Sequence, residues 1–212
     1  MPKWIMPWVP PTAPVAQEAL TALDRPLMAW RDFGEFDSDD FYSDYPPREI
    51  SQLEREVRKL GMRRVWRMER VWQPDAETPD AESEAHQRAS RQVGGALIVP
   101  RCLDDYVMQA YRAADLGDDP VASLGARADL DEALEWAQAG ICVLQQSLPW
   151  PFVDVLRYAL LDNRPAHRVL YAYATLLHHR QPRKAGSWFR AMVYLDPNDN
   201  LGARFRAPGG PR

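Results

Sequence analysis

The pattern of apolar and polar positions divides the chain near residue 100. From Leu103 onward the apolar residues recur at helical spacing. Leu103, Tyr106 or Val107, Ala110 and Ala114 form one stripe, with Gly117 as its stop signal. Asp104 and Asp105 fall in the first turn, where carboxylates suit the helix dipole. Leu130, Ala133, Leu134, Ala137, Ile141, Leu144 and Leu148 form a longer continuous face, and Asp129 with Glu132 has capping-box spacing. Gly140 inside that face costs about 1 kcal/mol of helix propensity. A small residue there predicts the close approach of another helix. Pro149 ends the segment, and FVDVLRYALL (152–161) predicts a further helix. Asn163 or its neighbour is expected to cap the next, with Pro165 in its first turn and an end near His179. The last long helix starts near Pro182 and stops before Asp196-Pro197. A final turn is expected near Asn200.

The first hundred residues lack this regularity. Residues 1–14 are rich in Pro and Trp and predict an extended segment, followed by a short helix over 15–23. FGEFDSDDFYSDYPP (33–47) predicts a loop or a wrapping arm. Ile50, Leu53, Val57 and Leu60 predict a helix over 48–60, punctuated by Gly61. The run MRRVWRMERVW (62–72) alternates poorly as a strand, because Val65 and Trp66 are adjacent. As a helix it gathers Val65, Met68 and Trp72, so a helix is expected there. Residues 74–84 predict an acidic linker, and 94–100 a short apolar extended run. The expected organisation is mainly α. An irregular, partly helical region covers 1–100, a helical domain 101–206 and a flexible tail 207–212.

Residues 166–197 have the length of a tetratricopeptide repeat, about 34 residues closed by a Pro. Ala185 stands where that pattern has a small residue early in the second helix, Phe189 at the aromatic four later, and Pro197 at the close. Leu176 fits the large residue late in the first helix, and Ala172 is smaller than the usual Leu. Tyr173 stands where Gly is usual and Met192 where Ala is usual. The entry DNRPAHRVL and the ending LDPNDNLGAR are similar to segments that open and close repeats in bacterial tetratricopeptide-like proteins. The C-terminal half therefore resembles a tetratricopeptide-repeat protein over residues 162–204. The helices at 103–115 and 129–148 are candidates for a degenerate earlier repeat. The resemblance implies antiparallel helix pairs and a protein-binding groove lined by the first helix of each pair. It places His167, Leu170, Tyr171, Ala174 and His178 in that groove, rimmed by Arg164, Arg168 and Arg180. Lys and Asn, which clamp acidic C-terminal peptides in some such proteins, are missing from that face, so an apolar or aromatic anchor is implied. A repeat cannot bury its apolar face alone. The Trp-rich N-terminal region or a second copy, giving a homodimer, is expected to cover it, and the arm at 33–45 is a candidate to fill the groove.

Charge adds a second possibility. The net charge of −4 over 212 residues is modest but uneven: EFDSDDFYSD is acidic, whereas residues 162–212 hold nine Lys/Arg against three Asp/Glu. Arg63, Arg64, Trp66, Arg67 and Arg70 interleave guanidinium groups with an aromatic ring. With the basic C-terminal end they make nucleic-acid association the alternative function. The ordinary reading of the same residues is a solvated face with Trp in the core.

Cysteine and histidine usage points away from other classes. The two cysteines, Cys102 and Cys142, lie in apolar-periodic segments and are expected as reduced core thiols. His167 and His178 are eleven positions apart, about 16 Å along a helix, and no Cys/His pair has zinc spacing. FDSDDFYSD lacks the Gly and the closing Glu of a calcium loop. Phosphate loops, nucleophile elbows and HExxH motifs are missing too. No catalytic residue, metal or cofactor is expected. MPKWIMPWVPP is too short and too Pro-broken for a signal peptide, and no apolar run reaches 18 residues. A cytoplasmic location with no membrane contact is the expectation. Protein–protein interaction, as adaptor or scaffold, is the function the sequence favours.

Overall fold

Local chemistry sets most element boundaries. The computed structural model describes residues 6–23, 26–70, 100, 102–115, 124, 128–149 and 151–211. In chain order these hold α1 (Pro14–Ala22), β1 (Met28–Asp37), α2 (Ser38–Ser43), α3 (Gln52–Arg58), β2 (Met62–Arg70), α4 (Leu103–Ala113), α5 (Leu130–Ser147), α6 (Arg164–Arg180) and α7 (Pro182–Leu195), with 3-10 turns at Leu161–Asn163 and Ala203–Phe205. The fold is mainly α, with a small two-stranded sheet. Pro occupies the first turn of α1, α6 and α7, where a missing N–H is harmless. Ser51 and Glu54 form a reciprocal capping box that starts α3. Asp129 caps α5 by accepting from the N–H groups of Asp131 and Glu132 at 3.1 and 3.0 Å.

Helix α6 sits at the centre of the helical layer, against α4, α5 and α7. Helix α7 doubles back on α6 after Gln181. Tyr173 lies across Trp188 edge-on, with ring centroids 5.1 Å apart. Gly140 has the role its position suggested: a Cβ there would lie 3.0 Å from Tyr106 Cβ on α4 and 3.3 Å from Val169 Cγ1 on α6.

The N-terminal half departs from expectation. Residues 62–70 form a strand, not a helix, pairing antiparallel with β1 from Met28↔Arg70 to Asp37↔Met62. The alternation was hidden because both faces of β2 are partly covered. Val65 is buried, while the neighbouring Trp66 is half-buried and donates its indole N–H to Asp154 at 2.8 Å. The arm expected over 33–47 is the end of β1 plus α2. A bulge between Asp32 and Glu35 contains Gly34 at φ 114°. Residues 152–161 are not a helix either. Val155 runs parallel to β2, donating to Arg64 O and accepting from Trp66 N, both at 2.9 Å, while Leu156 N donates to Leu195 O. With these main-chain groups committed to β2 and to the end of α7, a helical ladder is unavailable. The expected linker at 74–84, Gly117 and all but Pro100 of the 94–100 run lie outside the described residues.

One buried apolar cluster runs from Met6 to Ala207 and draws on both halves of the chain. The tail expected to be flexible is seated on it: Ala207 is buried, and Leu53 N donates to Gly209 O at 2.8 Å. Asn163 makes the central polar link. It does not cap α6. Fully buried, it accepts from Met68 N at 2.8 Å and donates to Trp66 O at 2.8 Å and Arg157 O at 3.2 Å. Removing it leaves three part-buried main-chain groups without this partner. Asn163→Ala is expected to cost about 2–4 kcal/mol in urea-unfolding stability. Gly140→Ala is expected to lose about 1–3 kcal/mol net despite its better helix propensity, because the contacts are to a Cβ and a packed Val rather than to a flexible chain end. Denaturant midpoints check both.

Candidate functional site

Four of the five residues expected to line a groove on α6 are buried. Leu170 and Ala174 are completely so. Tyr171 packs edge-on to Phe189 at 6.1 Å under the guanidinium of Arg206, 5.8 Å from its ring. His167 is 2% exposed, hydrogen-bonds Leu156 O through Nε2 at 2.6 Å and meets the ring of Tyr158 edge-on. His178 is exposed, its ring 6.5 Å from Phe189. The chain fills this face from within. Leu156, Tyr158, Phe189 and Arg206 pack against it, whereas Tyr42 of the arm at 33–45 donates to Pro197 O at 3.1 Å. The rim arginines are also engaged internally. Arg164 lies over Tyr158, Arg168 grips both carboxylate oxygens of Asp104 at 2.7 and 2.6 Å, and Arg180 pairs with Asp131.

The Arg/Trp set is dispersed by its strand geometry. Arg63 and Arg67 point to one face of β2, Arg64 and Trp66 to the other. Arg63 is buried, donating to Tyr194 O at 2.6 Å and to Ser38 Oγ at 3.0 Å, and burial pulls its pKa down to about 10. Arg67 pairs with Asp162 at 2.6 Å and lies over Phe33. Arg64 is exposed; Arg70 closes β2 opposite Met28. Trp72 lies outside the described residues. Among the described residues of this set, no continuous basic-aromatic surface results. An open cleft of about 640 Å³ beside α3 mixes Arg55, Arg58 and Lys59 with Asp39 and Glu56. There, Arg58 pairs with Asp39, and Arg190 with Glu56. Among the described residues no cluster of three or more His, Cys, Asp or Glu is placed to hold a metal ion, and no helix is long and apolar enough to cross a membrane.

The arrangement with the strongest recognition chemistry lies on α5. Gln138, Cys142 and Gln145 share one helix face at i, i+4 and i+7. They hold residues 7–12, which carry no helix or strand of their own. Gln145 accepts from Val9 N at 3.2 Å and donates to Pro7 O at 2.9 Å, a two-point grip on main chain. Gln138 donates to Pro10 O at 2.8 Å and to Thr12 Oγ1 at 3.0 Å. The Cys142 thiol points to Val9 O at 3.7 Å; burial pushes its pKa up to about 11, so it stays a neutral S–H donor. Met6, Val9 and Ala13 are buried beside these bonds, while Trp8, Pro10 and Thr12 face solvent. The result is a chain without regular secondary structure laid on a helix and recognised chiefly through its backbone.

Burial holds the His167 imidazole below its ordinary pKa, outweighing the opposing pull of Asp196, the Leu156 carbonyl and Asp199. The folded state thus binds fewer protons here than the unfolded chain. Stability is expected to be full above pH 6.5 or so and to fall below it, by up to about 1.4 kcal/mol per pH unit, until the folded imidazole itself is protonated. Thermal melts between neutral and mildly acid pH check this, and His167→Gln is expected to flatten the slope.

Comparison with known proteins places the chain beside none of them: no family model matches it, and no curated protein or solved structure is significantly similar.

Proposed function

We propose that this chain is a protein–protein interaction module, an adaptor or scaffold, built on tetratricopeptide-like helix pairs and binding extended segments across its helical layer. The observation that carries this reading is the grip of Gln138, Cys142 and Gln145 on the main chain of residues 7–12. Two further features support it. Ala185 and Phe189, at the positions where the repeat pattern requires a small and an aromatic residue, are completely buried between α6 and α7. The binding face is uncharged, so it favours apolar, main-chain-directed ligands over phosphates. The burial of Arg63 and the pairing of Arg67 remove support from nucleic-acid association.

Binding to an array of extended peptides tests the reading. Retention is expected to be insensitive to salt. Gln138→Ala together with Gln145→Ala is expected to weaken it by roughly 1.5–3 kcal/mol, tenfold or more. Strongly salt-sensitive retention on single-stranded DNA, with no peptide bound, would replace it.

A further inference from the structure

The strap at residues 6–13 and the α5 face match each other chemically. Pro7, Pro10 and Pro11 have no N–H, so the strap offers carbonyls and few donors. The face answers with donors: two Gln amide groups and a thiol, aimed at Pro7 O, Pro10 O and Val9 O. Val9 has the only N–H between Pro7 and Pro10 apart from that of Trp8, and the carbonyl of Gln145 takes it. Prolines also hold the strap near the extended form before it docks, which lowers the entropy lost on binding.

The strap is also separable. Residues 6–12 make no backbone–backbone bond to another described element, Thr12 N returning to Pro10 O within the strap; Ala13 O accepts from Gln17 N of α1 at 3.1 Å and anchors the strap's end. Peeling residues 6–12 from α5 breaks no helix or strand bond, since the first main-chain bond of α1 is accepted by Ala13. Its apolar anchors are few: Met6, Val9 and Ala13.

We infer that residues 6–13 are the resident occupant of this groove, and that its outside ligand is a Pro-interrupted apolar segment of a partner protein, which displaces the strap to bind. The inference rests on the peptide-groove reading above and adds the ligand's chemistry and a built-in competitor. A tethered competitor acts at an effective concentration in the millimolar range, so the native chain takes such a ligand weakly until the strap lifts.

The test uses the full chain and a fluorescently labelled synthetic peptide, MPKWIMPWVPPTAP, followed by anisotropy. Val9→Asp in the chain loosens the strap and leaves α5 intact. This variant is expected to bind the peptide at least tenfold more tightly than the native chain. Adding Gln145→Ala is expected to cut that binding at least tenfold, and a peptide carrying the Val9→Asp change is expected not to bind. If Val9→Asp unfolds the chain, the peptide is expected to raise its melting temperature towards the native value. Equal binding by native and Val9→Asp chains would overturn the strap while leaving the adaptor reading intact. No binding and no rescue would overturn the groove itself. A concentration-dependent native dimer lost in Val9→Asp would make a second copy's strap the occupant and overturn displacement by a foreign segment.

Discussion

Buried amide and imidazole groups bonded to the main chain of distant segments hold the two halves of this fold together. Asn163 satisfies β2 and the loop before α6 at once, and His167 one turn later binds Leu156 O. Arg63 reaches from β2 to Tyr194 O, and Tyr42 from α2 to Pro197 O. Apart from the two local bonds, His167 to Leu156 and Asn163 to Arg157, these links span long stretches of sequence, and each ends on a carbonyl or an N–H. In a low-dielectric interior such bonds are strong only if complete, and each is costly to leave half-made. The helical layer and the strand pair are therefore tied together at a belt of main-chain acceptors, and the apolar cluster from Met6 to Ala207 closes around it.

This belt explains what the sequence hid. Helices α4 to α7 were legible because each presents an apolar stripe at helical spacing and carries a Pro, an Asp or a first-turn acid at its start. Strand β2 was not. Its inward residue Arg63 is polar, and Trp66 on the outer face is covered by the segment around Asp154, so the period of two was lost. Residues 152–161 carry a helical pattern, but β2 claims the main chain of Val155 and the end of α7 claims that of Leu156. Asn163 looks like a cap and is a bracket. In each case a long-range main-chain bond overrode the local signal, and local patterns carry no record of such bonds.

The binding face was misplaced for a related reason. Apolar residues on the first helix of a pair indicate contact without saying with what, and here the apolar face of α6 is covered by its own chain, while Arg168, His178, His179 and Arg180 stay exposed. Gln138 and Gln145 gave little warning, since glutamine on a helix reads as solvated surface. A signal was present all the same. Two Gln and a Cys sit on one face of the most apolar long helix, and the chain contains a Pro-rich segment short of helix-forming residues and rich in unshared carbonyls.

Recognition through carbonyls has a consequence for how partners of such a face would diverge. Apart from the bond from Gln138 to Thr12 Oγ1, the bonds from α5 end on main-chain atoms of the strap, so a bound segment keeps most of its hydrogen bonds when its side chains change. What must persist is a distribution of prolines and two or three modest apolar anchors. A family of ligands under that constraint would share composition and spacing with little letter-by-letter identity. Its members would be found by the arrangement of their prolines rather than by a consensus motif.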